Sequence, residues 1–127
     1  MNSDEAMERV CRMPFDFFTI HTKSMVQLAA ESGIDAFPAA LTVANVAAYL
    51  MGHPDPDLVW EWLKWSSGRR VPSGWYFERR AGGYIVHFHP KGETLSLSDP
   101  VLACAEFTVR VVKELLALVG NERLGRC

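Results

Sequence analysis

An α+β fold is the class this sequence predicts, on three observations. The first half carries repeated helix start and stop residues, the stretch from Trp75 to Ser98 alternates with a period of two, and a long helix-forming run follows Asp99. The expected architecture is a helical N-terminal half and a three-stranded antiparallel β-meander over about 74–98, packed against a long C-terminal helix over about 100–119. One domain is expected over 1–127, with 1–68 mainly helical, 72–119 in the order β-β-β-α, and 120–127 a short tail.

Each element has a local reason. Ser3 to Met13 reads as a helix, with Asp4 and Glu5 early and Arg9 and Arg12 late, the polarity a helix dipole favours, and Pro14 as its stop. "FDFFTI" at 15–20 is β-prone and reads as an edge strand or an extended apolar anchor, although Phe17 and Phe18 break strict alternation. A second helix is expected from Lys23 to Ser32, capped by Thr22 and closed by a left-handed Gly33. A third spans Val43 to Met51 before Gly52. The fourth is expected over 56–67, with Asp55 capping, Pro56 at the first helical position and Gly68 at the end. Trp60, Trp62 and Trp65 lie on more than one of its faces, so at least one indole belongs near the surface.

The strands are expected at Trp75–Arg80, Tyr84–His89 and Glu93–Ser98, separated by Ala-Gly-Gly and Pro-Lys-Gly turns. With Gly82-Gly83 as the first loop, Phe77 would face Phe88 and Glu78 would face His87. Any loop of even length puts Trp75, Phe77, Tyr84, Val86 and Phe88 on one side, with Arg79 at its fringe, and Tyr76, Glu78, Arg80, Ile85, His87 and His89 on the other. The last helix starts at Pro100 under an Asp99 or Ser98 cap and runs to Val119. Glu106, Arg110, Lys113 and Glu114 form its polar stripe, and Leu102, Ala105, Val109, Val112, Leu116 and Val119 belong to the apolar face that covers the sheet.

The chain has 127 residues, 49% of them hydrophobic and 22% charged, as expected of a folded core. Its net charge of -2 supplies no global attraction to nucleic acid or to an anionic membrane, so such a partner would need a local patch. Cys11, Cys104 and Cys127 fit neither a C-x-x-C metal pattern nor an even-numbered disulfide framework, and the acidic start lacks the basic and apolar regions of a secretory signal. The expected compartment is the cytoplasm, with no membrane partner.

Candidate chemistry centres on "YIVHFHPKGE" at 84–93. His87 and His89 point the same way from a strand, and Glu78 or Glu93 would complete three ligands for a divalent metal. The bland alternative is a cross-strand Glu78–His87 ion pair on an exposed face. The spacing H-x-H-x-x-x-E is similar to the first half of the cupin metal motif. Ala81 and Pro100 stand where that motif has glycines, no histidine follows His89, and three strands are too few for a cupin barrel, so the likeness ends at those seven residues.

No nucleophile elbow or phosphate loop is present, and "WSSGRR" and "PSGWY" read as ordinary helix-end and turn serines. No enzyme class and no cofactor is therefore indicated, a divalent metal being the alternative. A helix-turn-helix over the third and fourth helices would offer Asp57 and Glu61 to phosphates. Nucleic-acid binding would rest instead on the doublets Arg69-Arg70 and Arg79-Arg80. The preferred expectation is a small non-catalytic protein of the bacterial inhibitor, immunity or accessory-subunit kind. It would bind a protein partner through Arg69, Arg70, Trp75, Tyr76, Arg79 and Arg80, since Trp, Tyr and Arg anchor interfaces most often.

Overall fold

The computed structural model describes residues 2–53 and 56–125, and for 120–125 the backbone alone. Helices α1 (Ser3–Cys11), α2 (Met13–Ile20), α3 (Met25–Glu31), α4 (Val43–Gly52) and α5 (Leu58–Gly68) precede strands β1 (Gly74–Arg80), β2 (Gly83–His89) and β3 (Thr94–Leu97), and α6 (Pro100–Gly125) closes the chain. Two 3₁₀ turns, Ile34–Ala36 and Pro38–Ala40, link α3 to α4. The class is α+β, with a helical first half and an antiparallel sheet of order β1-β2-β3 against the last helix. No described helix is long and apolar enough to cross a membrane.

Pro14 does not end the helical start of the chain. It occupies the first turn of α2, where its missing N–H has no intrahelical partner to lose. The segment 15–20 is therefore helical rather than an edge strand or extended anchor, and Phe15, Phe17 and Phe18 lean half-buried on the core. Helix α3 starts later than the sequence suggests. Ser24, not Thr22, is its cap, because Gln27 stands three residues on and the two exchange side-chain-to-backbone hydrogen bonds in a capping box. Gly33 does adopt the left-handed conformation, with φ 80°. Helix α5 also starts later, at Leu58, where the Asp57 carboxylate accepts from the N–H of Trp60. Pro56 lies before this helix, and the expected Asp55 cap falls outside the described residues.

The β1–β2 hairpin keeps the expected parity but shifts its register by two. Phe77 faces Val86, Tyr76 faces His87 and Glu78 faces Ile85, so the two-residue loop is Ala81-Gly82. Gly82 sits at φ 81°, a value that favours glycine in a tight hairpin, which is why the turn closes here.

Helix α6 continues through Gly120 to Gly125, six residues past its expected end. A glycine costs a helix interior only about 1 kcal/mol relative to alanine, and it ends a helix only where the chain turns left-handed. The helix packs against β1 and β2 and also against α3 and α4. Covered from both sides, it buries Ala103, Cys104, Phe107, Thr108, Val111 and Leu115 along with the expected Ala105, Val109 and Val112, while Leu102 is exposed.

The core closes around aromatic rings. Trp62 and Phe107 are fully buried with centroids 5.8 Å apart, and the indole N–H of Trp62 donates to the carbonyl of Cys11 at 3.1 Å. Trp65 is nearly buried, and Trp60 is the exposed indole. Burial pushes the Cys11 thiol up to about 12 and raises that of Cys104 as well. Neither thiol is expected to react with iodoacetamide at pH 8 in the native state, because alkylation needs the thiolate. Mass spectrometry should find both unlabelled in the folded protein and both labelled after unfolding in urea.

Candidate functional site

The two edges of the sheet differ. Along β1, the N–H of Phe77 donates to the Ser66 hydroxyl at 2.8 Å, and that of Trp75 donates to the Glu114 carboxylate at 2.8 Å. These are backbone groups β1 turns away from β2, so α5 and α6 close that edge at Trp75 and Phe77 and leave it open only towards Arg79. At the other edge, the N–H of Phe88 donates to the carbonyl of Glu93 at 3.0 Å, and Val86 and Tyr84 face Leu95 and Leu97. Antiparallel alternation then turns the backbone N–H and C=O of Thr94 and Ser96 outward, where both residues are exposed.

The two faces differ as well. Phe77 and Val86 are buried under α6, with Trp75, Tyr84, Leu95 and Leu97 packed around them. On the opposite face Tyr76 stacks on His87 at 5.7 Å and meets His89 edge-on at 5.8 Å, with Ile85 half-buried nearby. Glu78 lies 2.6 Å from Arg80 and 3.3 Å from Nε2 of His87. That second approach is not aligned as a hydrogen bond, so His87 Nε2 is left without a partner.

The six residues named as a binding set divide between these environments. Arg69 is 7% exposed. It pairs with Glu114, donates to the carbonyl of Trp75, and lies over the Trp65 ring at 5.1 Å, so its charge serves the interior. Trp75 belongs to the α6 side, between the Phe88 ring and the Arg110 guanidinium. Tyr76 lies on the outer face and anchors the loop before β1, its hydroxyl accepting from the N–H of Val71 at 3.1 Å. Arg70, Arg79 and Arg80 are exposed, and Arg70 also donates to the Ser67 carbonyl at the end of α5.

The metal candidates divide by parity. Glu93 lies opposite Phe88 on the α6 side and reaches Arg110, while His87, His89 and Glu78 are on the outer face. Among the described residues no three His, Cys, Asp or Glu side chains come together in an arrangement that could hold a metal. His21 is exposed at the end of α2, and Nδ1 of His53 lies 2.9 Å from the Tyr49 carbonyl.

A hollow of about 520 Å³ opens at the hairpin tip, lined by Arg79 to Tyr84 and by Ser98. It adjoins a smaller one that reaches Ser96 and Leu97, so the arginine-lined tip and the open β3 edge are continuous. Among the described residues no carboxylate lines either hollow. A slightly larger groove between α1 and α4 is of the opposite character, with Asp4, Glu5 and Glu8 along it.

Two features of this region were not legible as such in the sequence. Glu114 read as part of the polar stripe of the last helix but is the partner of a buried arginine 45 residues away, and nothing local signals that pairing. Gly74 packs tightly beside it, since a Cβ there would lie 2.9 Å from the Arg69 guanidinium and 3.0 Å from the Glu114 carboxylate. Gly74→Ala is expected to push the pair apart and destabilise the protein by about 1–3 kcal/mol, read from a urea titration.

No family model, curated protein or solved structure matches this chain.

Proposed function

We propose that the protein is a non-catalytic binding protein acting in the cytoplasm, and that its partner is another protein with acidic character. The observation that carries this reading is the one-sidedness of the sheet. Helix α6 covers one face, whereas Tyr76, Ile85 and His87 on the other are only half-buried, Tyr76 in part by the loop that it anchors. Aromatic and imidazole side chains on a flat surface give large contact area at low conformational cost. Around them the exposed cations Arg70 and Arg80 outnumber the carboxylate of Glu78 among the described residues, and Arg79 adds a further exposed cation at the hairpin tip from the α6 side, on a chain whose net charge is -2. A local positive excess on a mildly acidic protein favours acidic partners and speeds encounter with them. An inhibitor, immunity factor or accessory subunit of bacterial type would use such a surface.

The test compares capture by two forms of the intact chain. Wild type and an Arg79→Glu/Arg80→Glu/His89→Ala variant, all three positions being exposed, are immobilised and exposed to native lysate. A stoichiometric acidic protein retained by wild type and lost by the variant is the expected result, with retention weakening as salt rises. A partner held equally by both forms, or none held by either, contradicts the reading.

A further inference from the structure

We infer that β3 receives an extended acidic segment of the partner as a fourth strand. This rests on the reading above and specifies its mode. Strand addition needs an edge whose backbone groups are free; among the described residues β3 offers them along its length, whereas β1 keeps them only towards Arg79, at the hairpin end. The outward N–H groups of Trp75 and Phe77 on β1 are already bonded to Glu114 and Ser66. Those of Thr94 and Ser96 on β3 face outward with no bond among the described residues, and each residue also presents a carbonyl. An incoming strand would find two donors and two acceptors in register, with main-chain pairing supplying affinity and side-chain pockets selecting sequence.

Charge chooses the occupant. The open edge runs into the hollow between Ser96, Ser98 and the hairpin tip, where Arg80 contributes to the lining and Arg79 stands beside it. Arg79 makes no ion pair among the described residues, and Arg80 is shared only with the half-buried Glu78. β1 lies at the far edge of the sheet, so it is a side chain of the incoming segment where it runs past Leu97 into this hollow that would meet Arg80, whose fork geometry suits a carboxylate. The lack of any carboxylate in the hollow makes a basic strand a poor fit. Edge strands usually carry devices against such pairing; here β3 is short but has neither lysine nor proline within Thr94–Leu97.

The probe is a capped octapeptide of alternating threonine and valine carrying two glutamates, with a lysine counterpart and a backbone N-methylated version as controls. Binding is read by fluorescence anisotropy on the full chain, and amide exchange of Thr94 and Ser96 by ¹⁵N-edited NMR. The expected result is binding of the glutamate peptide alone, with both amides slowed at least about tenfold at saturation. Ser96→Pro removes an outward N–H at a position that makes no bond to β2, and it should weaken binding roughly tenfold or more. N-methylation of the peptide should do the same, which keeps the test decisive if that variant folds poorly. Loss of binding in Arg79→Glu/Arg80→Glu with no effect of Ser96→Pro or N-methylation would overturn strand addition while leaving the acidic-partner reading in place. Insensitivity to all three changes, or no binding at all, would overturn both. Protection of Thr94 and Ser96 that rises with protein concentration and needs no peptide would identify a second copy of the chain as the occupant and overturn the proposal.

Discussion

Replacing Glu114 with alanine is expected to lower the unfolding free energy by about 3–5 kcal/mol, the range for removing one partner of a buried ion pair. Arg69 would be left as an uncompensated charge with its side chain only 5% exposed. The N–H of Trp75, which donates to the same carboxylate at 2.8 Å, would lose its acceptor too. Glu114 thus ties three elements together, holding the Arg69 that follows α5, the first residues of β1, and α6 itself. Glu114→Gln keeps acceptor capacity without the charge and should fall between wild type and alanine. The double variant Arg69→Met/Glu114→Leu should recover part of the loss, because an apolar pair leaves no charge behind. Urea titrations of the four proteins check this, and a single Glu114→Ala cost below about 1 kcal/mol would mean that solvent screens the pair as it does at a surface.

The second large effect is expected at Phe107. This ring is fully buried and contacts Phe77 of β1 at 5.4 Å and Trp62 and Trp65 of α5 at 5.8 and 6.2 Å. It is where the sheet, α5 and α6 share one set of contacts, so its removal leaves a cavity that no single element can collapse into. Phe107→Ala is expected to destabilise by about 3–5 kcal/mol, as large-to-small changes at buried aromatics do. Phe107→Leu fills more of the space and should cost appreciably less. Since the site connects the helical half to the sheet, thermal unfolding followed by tryptophan fluorescence and by far-UV dichroism should remain coincident in wild type and separate, if anywhere, in the alanine variant.

How far the sequence alone foretold this structure depends on whether the signal was local. Alternation between Trp75 and His89 is a property of neighbouring residues, and it sorted the named residues of β1 and β2 correctly between the covered and the open side of the sheet. Register depends on which even-length loop closes the hairpin. Gly82-Gly83 and Ala81-Gly82 both satisfy the alternation, and the left-handed Gly82 that separates them is a backbone fact. Pro14 carries the same ambiguity, because a proline that can stop one helix is equally suited to start the next. The chemistry at Arg69 was hidden for a different reason. Its doublet with Arg70 looks uniform in sequence, yet a partner 45 residues away draws one arginine into the core and leaves the other exposed. The open edge at β3 was likewise invisible, since it becomes distinct only when Ser66 and Glu114 are seen to occupy the edge of β1.

The uncovered side of the sheet and its β3 edge are the claim on which the functional account stands. A residue-resolved amide-exchange and chemical-shift map of the intact chain, alone and bound to the partner that it retains from lysate, tests it most directly. Changes centred on Tyr76, Ile85, His87, Thr94 and Ser96 are predicted. Changes confined to the acidic groove between α1 and α4, or to the surface around the exposed Trp60, would contradict it.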